Sequence, residues 1–313
     1  MAACENGGML SSSLLADFRL KCAERNLGVQ AVHVYRQGSG TVEHHFQADE
    51  RAELWSASKT FTSLAIGMCQ AEGRLALTDR LLDHFPEFAG TAAPGSGEIR
   101  VVDLLQMRSG KDYAEFPITD EDEIDRTDWA ELFLRAPLVS EPGTRFFYAN
   151  GATYMLSRLV EKTSGLVLRD YLMPRLFAPL GIHNPWWNTC PRGHSLGCFG
   201  LQLRLDEFAK LGRLLLQRGI WDDVALVPAS YVEAMHTDTV PPEGHFEGAE
   251  WNVGYGYQVW LSTWPGSFRA DGKYGQFGIV VPDRGAVITV LSHSETNTAG
   301  ILAAVFADIV PKL

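Results

Sequence analysis

An α/β (α+β) fold is predicted for this chain of 313 residues: one antiparallel sheet drawn from both chain ends, flanked by helices, with a mostly helical region inserted. Three observations predict it. Strand-like runs cluster in Val29–Phe46 and again after Tyr255, helical periodicity dominates the stretch between, and no repeat or Gly/Ser-rich linker separates the parts. The boundaries fall at residues 1–75 plus 251–313 for the sheet part and 76–250 for the insert.

Taken in order, Ser11 to Ser13 offer N-caps for an amphipathic helix from Leu14 to Arg25, which Asn26 and Gly28 end. Val29 to Tyr35 reads as a strand, Gly38-Ser39-Gly40 as a turn and Thr41 to Phe46 as the hairpin partner. Ser56 to Glu72 carries Phe61, Leu64, Ala65, Met68 and Cys69, the stripe of a core-facing helix, and stops at Gly73. Helical stretches recur at Val101–Met107, Trp129–Leu134, Ala152–Thr163, Leu168–Phe177, Asp206–Gln217 and Ala229–His236, between proline-marked loops. Strands return at Tyr255–Ser262, Gln276–Val281 and Ala286–Leu291, the last two joined by Pro282-Asp283-Arg284-Gly285. Thr296 to Ile309 closes the chain as a helix.

Composition narrows the function classes. No stretch reaches 18 apolar residues, so no membrane-spanning helix is expected. The formal charge of -11, from 27 basic against 38 acidic residues, argues against nucleic acid or anionic membranes as partners. The five cysteines are odd in number and show no CxxC pair, which fits free thiols in a reducing compartment. The start MAACENGGMLSSSLLADF has no basic n-region and no sustained apolar core, so a cytoplasmic location is expected unless a leader has been removed. His44-His45 is the one adjacent histidine pair, and strand neighbours point to opposite faces, so no metal site is expected. HExxH and GxSxG are both absent.

Chemistry concentrates in three short motifs. Ser56-Ala57-Ser58-Lys59 opens the strongest helix, where Lys59 sits one turn above Ser56 and a desolvated amine can activate a hydroxyl. The alternative is an N-cap serine with an exposed lysine, and about 0.4 such matches arise by chance, so the motif alone decides nothing. Tyr148-Ala149-Asn150 precedes a helix. A phenol beside a lysine can relay a proton, and an asparagine amide can hold a carbonyl. Lys273-Tyr274-Gly275 opens a strand. With only seven lysines in the chain, three such patterns in this order are hard to assemble by accident.

Together these motifs resemble the serine β-lactamase and penicillin-binding-protein superfamily, and within it the class C-like branch with esterases and 6-aminohexanoate-dimer hydrolases. The resemblance spans about Ala31 to Val305 and extends to LLQMRSG, EPGTRFFYAN, LFAPLGI, GLQLRLDEFAKLGRLLLQRGIWDD and YGQFGIVVPD. It implies a β-lactamase/transpeptidase-like fold with the active site between the sheet and the insert. By the same resemblance Ser56 is the nucleophile, Lys59 its activating partner, Tyr148 the general base and acid, and Asn150 a contact to substrate and lysine. Lys273 would supply positive potential near Tyr148. The backbone N–H groups of Ser56 and Gln276 would form the oxyanion hole, and Gly275 would lack a side chain so that substrate can approach. Tyr113 and Trp187, with its neighbour Trp186, are candidate pocket walls, and the Asp120–Asp125 run is a solvated loop placed to act as a lid.

The pattern also departs from drug-hydrolysing relatives. KYG stands in place of Lys-Thr-Gly, Gln276 replaces a small hydroxyl residue, and no S-D-N motif is evident. The expected function is therefore a serine hydrolase working through an acyl-enzyme on small esters or amides, with no cofactor. The alternatives are a β-lactamase or D-alanyl-D-alanine carboxypeptidase, and a catalytically silent scaffold. The sequence does not settle oligomeric state.

Overall fold

The computed structural model describes residues 9–112, 127–242, 244 and 246–313. Ser11 caps a 3-10 turn over Ser12–Leu15, its hydroxyl accepting the Ser13 N–H, and α1 (Ala16–Glu24) follows. β1 (Val29–Arg36) and β2 (Gly40–His45) form the expected hairpin. Near the other end β10 (Gln276–Val281) and β11 (Ala286–Ser292) form a second, turned by Pro282–Arg284 and by Gly285 at φ 55.

β11 pairs with β1, placing His33 opposite Thr289 and Val34 opposite Ile288, and so joins the two chain ends. The complete sheet runs β2-β1-β11-β10-β9-β8, antiparallel throughout, with β8 at Trp260–Leu261 and β9 at Phe268–Gly272. β10 and β11 are buried at every residue, the pattern of strands covered on both faces. Val32, Val34, Phe277, Ile279, Ile288 and Val290 meet α1 and α9 (Thr298–Ala304) on one side. Ala31, Ala270, Val280 and Leu291 face the larger core on the other.

That larger core belongs mainly to helices. α2 (Ser58–Ala71) packs on α5 (Asn150–Ser164), with α3 (Val101–Leu105), α4 (Trp129–Arg135), α6 (Leu168–Leu172) and α8 (Ala229–Thr237) around them. Three results differ from the sequence reading. α7 (Leu205–Leu216) lies within 76–250 yet packs directly on the sheet. A Cβ on its Gly212 would meet Val287 Cγ1 at 2.4 Å, and Phe208 presses on Gly278. The sheet layer therefore draws a helix from the inserted stretch.

The second difference is β9, which was not anticipated because Arg269 and Asp271 give it a polar look. Both are internal: the Arg269 side chain is fully buried, with Nε on Asp271 Oδ2 at 2.9 Å and Nη1 on Leu261 O at 2.9 Å. Third, Tyr255–Ser262 contains only the short β8, because Gln258 adopts φ 61 and turns the chain back toward α3, its N–H reaching Leu105 O at 3.2 Å. Small ribbons complete the fold: β3 (Ala52–Glu53) and β4 (Trp186–Trp187) flank β5 (Leu201–Leu203), and β6 (Ile220–Trp221) pairs with β7 (Val224–Ala225). Among the described residues no helix is long and apolar enough to cross a membrane. The described cysteines Cys22, Cys69, Cys190 and Cys198 are free and buried.

Candidate active site

Ser56 lies in a 3-10 turn, Trp55–Ala57, immediately ahead of α2. The turn is pinned by Leu54 N–H on Leu201 O at 2.8 Å and Ala57 N–H on Leu54 O at 3.1 Å. Trp55 is held at φ 50, left-handed backbone that costs a non-glycine residue roughly 1–3 kcal/mol. Its indole packs edge-on against Tyr274 at 5.3 Å, and Tyr274 is itself left-handed at φ 66. Packing of the two rings thus holds the strained turn that presents the serine.

One turn on, Lys59 is 1% exposed. Its Nζ lies 2.9 Å from Ser56 Oγ, 2.7 Å from Asn150 Oδ1 and 2.8 Å from the Cys198 carbonyl, and it stands 5.1 Å from the centre of the Tyr148 ring. These oxygens saturate an ammonium's three donors, and none is a carboxylate. Burial without a counter-charge pulls the amine down to about 8. In its neutral form the lone pair can accept the Ser56 proton while two hydrogens stay on Asn150 and Cys198. Asn150 opens α5 directly after the N-cap Ala149, and its side-chain oxygen accepts from Lys59 rather than capping the helix.

Tyr148 is half-buried in an aromatic cluster. Its ring lies 5.9 Å from Tyr255, 5.6 Å from Trp260 and 5.5 Å from Phe246, while Tyr255 and Trp260 meet at 4.8 Å. Burial pushes its phenol well above the ordinary range; the Ser56 hydroxyl draws it part of the way back and the Asp271 carboxylate adds to the rise. Trp260, Tyr255 and Phe246 were not singled out in the sequence, where they read as ordinary core aromatics.

The third motif is placed differently from expectation. Lys273 is exposed, its ammonium 5.5 Å from the Trp55 ring centre and 4.8 Å from that of Tyr274, so the charge weighing on Tyr148 is the carboxylate of Asp271. Gly275 is a glycine for its backbone, at φ 92, and for packing: a Cβ would meet Ile301 Cδ1 at 2.7 Å and Ser292 Cβ at 3.2 Å. The glycine that permits close approach to the turn carrying Ser56 is Gly272. A Cβ there would sit 2.2 Å from Leu54 O and 3.2 Å from the Ala57 nitrogen. Two glycines three residues apart at a strand end are the signal that could have raised this choice. The Gln276 side chain is turned into the sheet, donating to Ser292 O and accepting from Ser292 N at 3.3 Å.

Trp187 is not a pocket wall. It is 3% exposed, packs at 6.4 Å on Phe177 and donates its indole N–H to Phe199 O at 3.0 Å, so it belongs to the core; Trp186 is 62% exposed. Tyr113 and the Asp120–Asp125 run lie outside the described residues.

A buried lysine bonded to a serine in a strained turn, on a strand end that a missing side chain lets close in, defines a class of serine hydrolases. A family model described as Beta-lactamase matches residues 23–308, and the chain belongs to that family. It is a hydrolase of esters or amides by that membership. A 6-aminohexanoate-dimer hydrolase of Paenarthrobacter ureafaciens is 25% identical over 278 residues, covering 82% of this chain and 70% of the relative. Penicillin-binding protein 4 of Amycolatopsis lactamdurans is 24% identical over 316 residues, covering 90% of this chain and 80% of that protein. Among solved structures, EstCE1, a hydrolase with promiscuous acyltransferase activity, matches with a TM-score of 0.75 at 17% identity, over 95% of this chain and 99% of that one.

Proposed function

We propose that the protein hydrolyses small carboxylic esters or linear amides through an acyl-enzyme on Ser56. The observation that carries the reading is the 2.9 Å contact between Ser56 Oγ and the Nζ of a buried Lys59, whose amine burial pulls down to about 8. Neutral Lys59 takes the hydroxyl proton as Ser56 Oγ adds to the substrate carbonyl carbon. The oxyanion is received by backbone N–H groups: that of Ser56, and those of the strand end that Gly272 brings against the 54–57 turn. Collapse of the tetrahedral adduct breaks the bond to the leaving group. The proton reaches that group from Lys59 through Tyr148, whose raised phenol favours donation over service as the resting base. Water then adds to the acyl carbon by the same route and releases the acid.

Asn150 has an Nδ2 with no acceptor among the described residues, which suits it to hold a substrate carbonyl. The aromatic cluster around Tyr148 offers an apolar wall for a short acyl or leaving group. The relative named as a 6-aminohexanoate-dimer hydrolase and the structural neighbour with acyltransferase activity support the same reading.

The experiment compares wild type with Ser56→Ala using a fluorophosphonate probe, p-nitrophenyl acetate and a chromogenic cephalosporin. Wild type is expected to label and to turn over the ester, and the variant to lose at least about 10³-fold. Ester turnover that survives Ser56→Ala overturns the nucleophile assignment, and cephalosporin turnover faster than ester turnover moves the substrate class to β-lactams.

A further inference from the structure

Away from Ser56, a cavity of about 150 Å³ lies between α7, β1 and β2, with the β6 tryptophan in its lining. His33, Tyr35, Asp206, Lys210, Arg213 and Trp221 are among its lining residues, so the crevice holds one carboxylate and two fixed cations. Arg213 holds its guanidinium 5.0 Å from the Tyr35 ring centre and 4.6 Å from that of Trp221. Among the described residues it meets no carboxylate, and its buried Nε has no hydrogen-bond partner. The other cation is already answered, since Lys210 pairs with Asp206 at 3.5 Å one helical turn away. Arg213 is therefore left without a counter-charge in the crevice among the described residues.

His33 contributes a second open group. The residue is 9% exposed, and its Nδ1 is buried without a hydrogen-bond partner. Its ladder partner Thr289 likewise has a buried Oγ1 without one. Of these two atoms only that of His33 belongs to a residue lining the crevice, and a ligand there would give the imidazole the partner it lacks among the described residues.

We propose that this crevice binds a small carboxylate monoanion, with the Arg213 guanidinium as its counter-charge and the His33 imidazole as a second donor. A carboxylate presents two coplanar oxygens that match a guanidinium edge. A monoanion fits a lining with a single uncompensated cation, whereas a phosphate dianion would leave one charge unmet. The cavity size restricts the ligand to a few heavy atoms, and the Trp221 and Tyr35 rings favour a short aliphatic chain behind the carboxylate.

Calorimetric titration with sodium butyrate at fixed ionic strength tests this on the full chain, alongside imidazole ¹⁵N shifts. Wild type is expected to bind one equivalent and to shift a single imidazole, lost in His33→Gln. Ser56→Ala should bind equally well, which separates the crevice from the catalytic serine. Arg213→Gln should weaken binding by about tenfold or more, and Arg213→Lys, which keeps the charge and the fold, by less. Absence of saturable binding, binding that survives Arg213→Gln, or tighter binding of inorganic phosphate than of butyrate would each overturn the proposal.

Discussion

Lys59 and Tyr148 stand beside the same serine, and burial moves them in opposite directions: the amine down to about 8, the phenol well above its ordinary range. Near neutral pH the phenol is protonated and a useful fraction of the lysine is not, so in the proposed mechanism the lysine is the base for acylation. The sign follows directly. Below about 8 the amine carries its proton and cannot accept another, so kcat/KM for p-nitrophenyl acetate should rise about tenfold per pH unit up to that point and then level. Initial rates across the pH range check this, and a profile without that limb removes Lys59 as the base. Lys59→Arg, which keeps the charge but cannot lose it, should abolish the limb together with about 10² to 10⁴ of the rate. Tyr148→Phe separates the roles further. An activated ester, whose leaving group needs no proton, should lose much less than an anilide, and equal losses on both would place Tyr148 in acylation itself.

At the scale of elements, the decisive contact is between the end of β9 and the turn that carries Ser56. Gly272→Ala places a methyl 2.2 Å from Leu54 O and forces the two apart, so kcat should fall by about 10² with the fold retained. Gly275→Ala is the contrast: its φ of 92 and the contact with Ile301 predict a loss of about 1–3 kcal/mol in stability, with activity per folded molecule largely kept. Denaturant midpoints and active-site titration distinguish the pair, and a reversed outcome would return the close approach to Gly275. The same comparison shows what the sequence could carry. The β1–β2 and β10–β11 hairpins were legible because apolar alternation, apolar runs and turn chemistry agree there. β9 was not, because Arg269 and Asp271 look solvated until each is seen to satisfy the other inside the sheet. That Ser56, Lys59, Tyr148 and Asn150 come together was legible through spacing at two helix starts. Gly272 and Trp260 were not, since only the fold reveals what a missing side chain makes room for or which aromatic ring faces the site. Trp187 misled for the converse reason: pocket walls and core tryptophans have the same composition.

Across the whole molecule, one feature couples the acidic chain's stability to pH through a group far from the chemistry. Lys111 is fully buried, with Nζ 2.9 Å from Ser96 Oγ, 3.3 Å from Leu134 O, bonded also to Ala136 O, and 5.4 Å from the Phe133 ring centre. Every partner among the described residues is neutral, and burial lowers its amine to about 7. The unfolded chain keeps that proton up to the ordinary lysine value of 10.5. Between about 7 and 10.5 the unfolded state thus binds more protons than the folded one, and stability rises with pH by up to roughly 1.4 kcal/mol per unit from this residue. Lys59 adds in the same direction above about 8. The buried thiols of Cys22, Cys69 and Cys198, raised by burial, oppose the trend once unfolded cysteine ionises near 9.0, and the buried tyrosines once unfolded tyrosine does so near 10.0, equally in wild type and in a Lys111 variant. Urea unfolding of wild type and Lys111→Met at about pH 7.5 and 9 isolates the contribution. Wild type should gain about 1–2 kcal/mol relative to the variant over that interval, whatever the variant's absolute stability. Parallel pH dependence in the two proteins would mean that Lys111 keeps its proton in the folded state, held by the three oxygens around it.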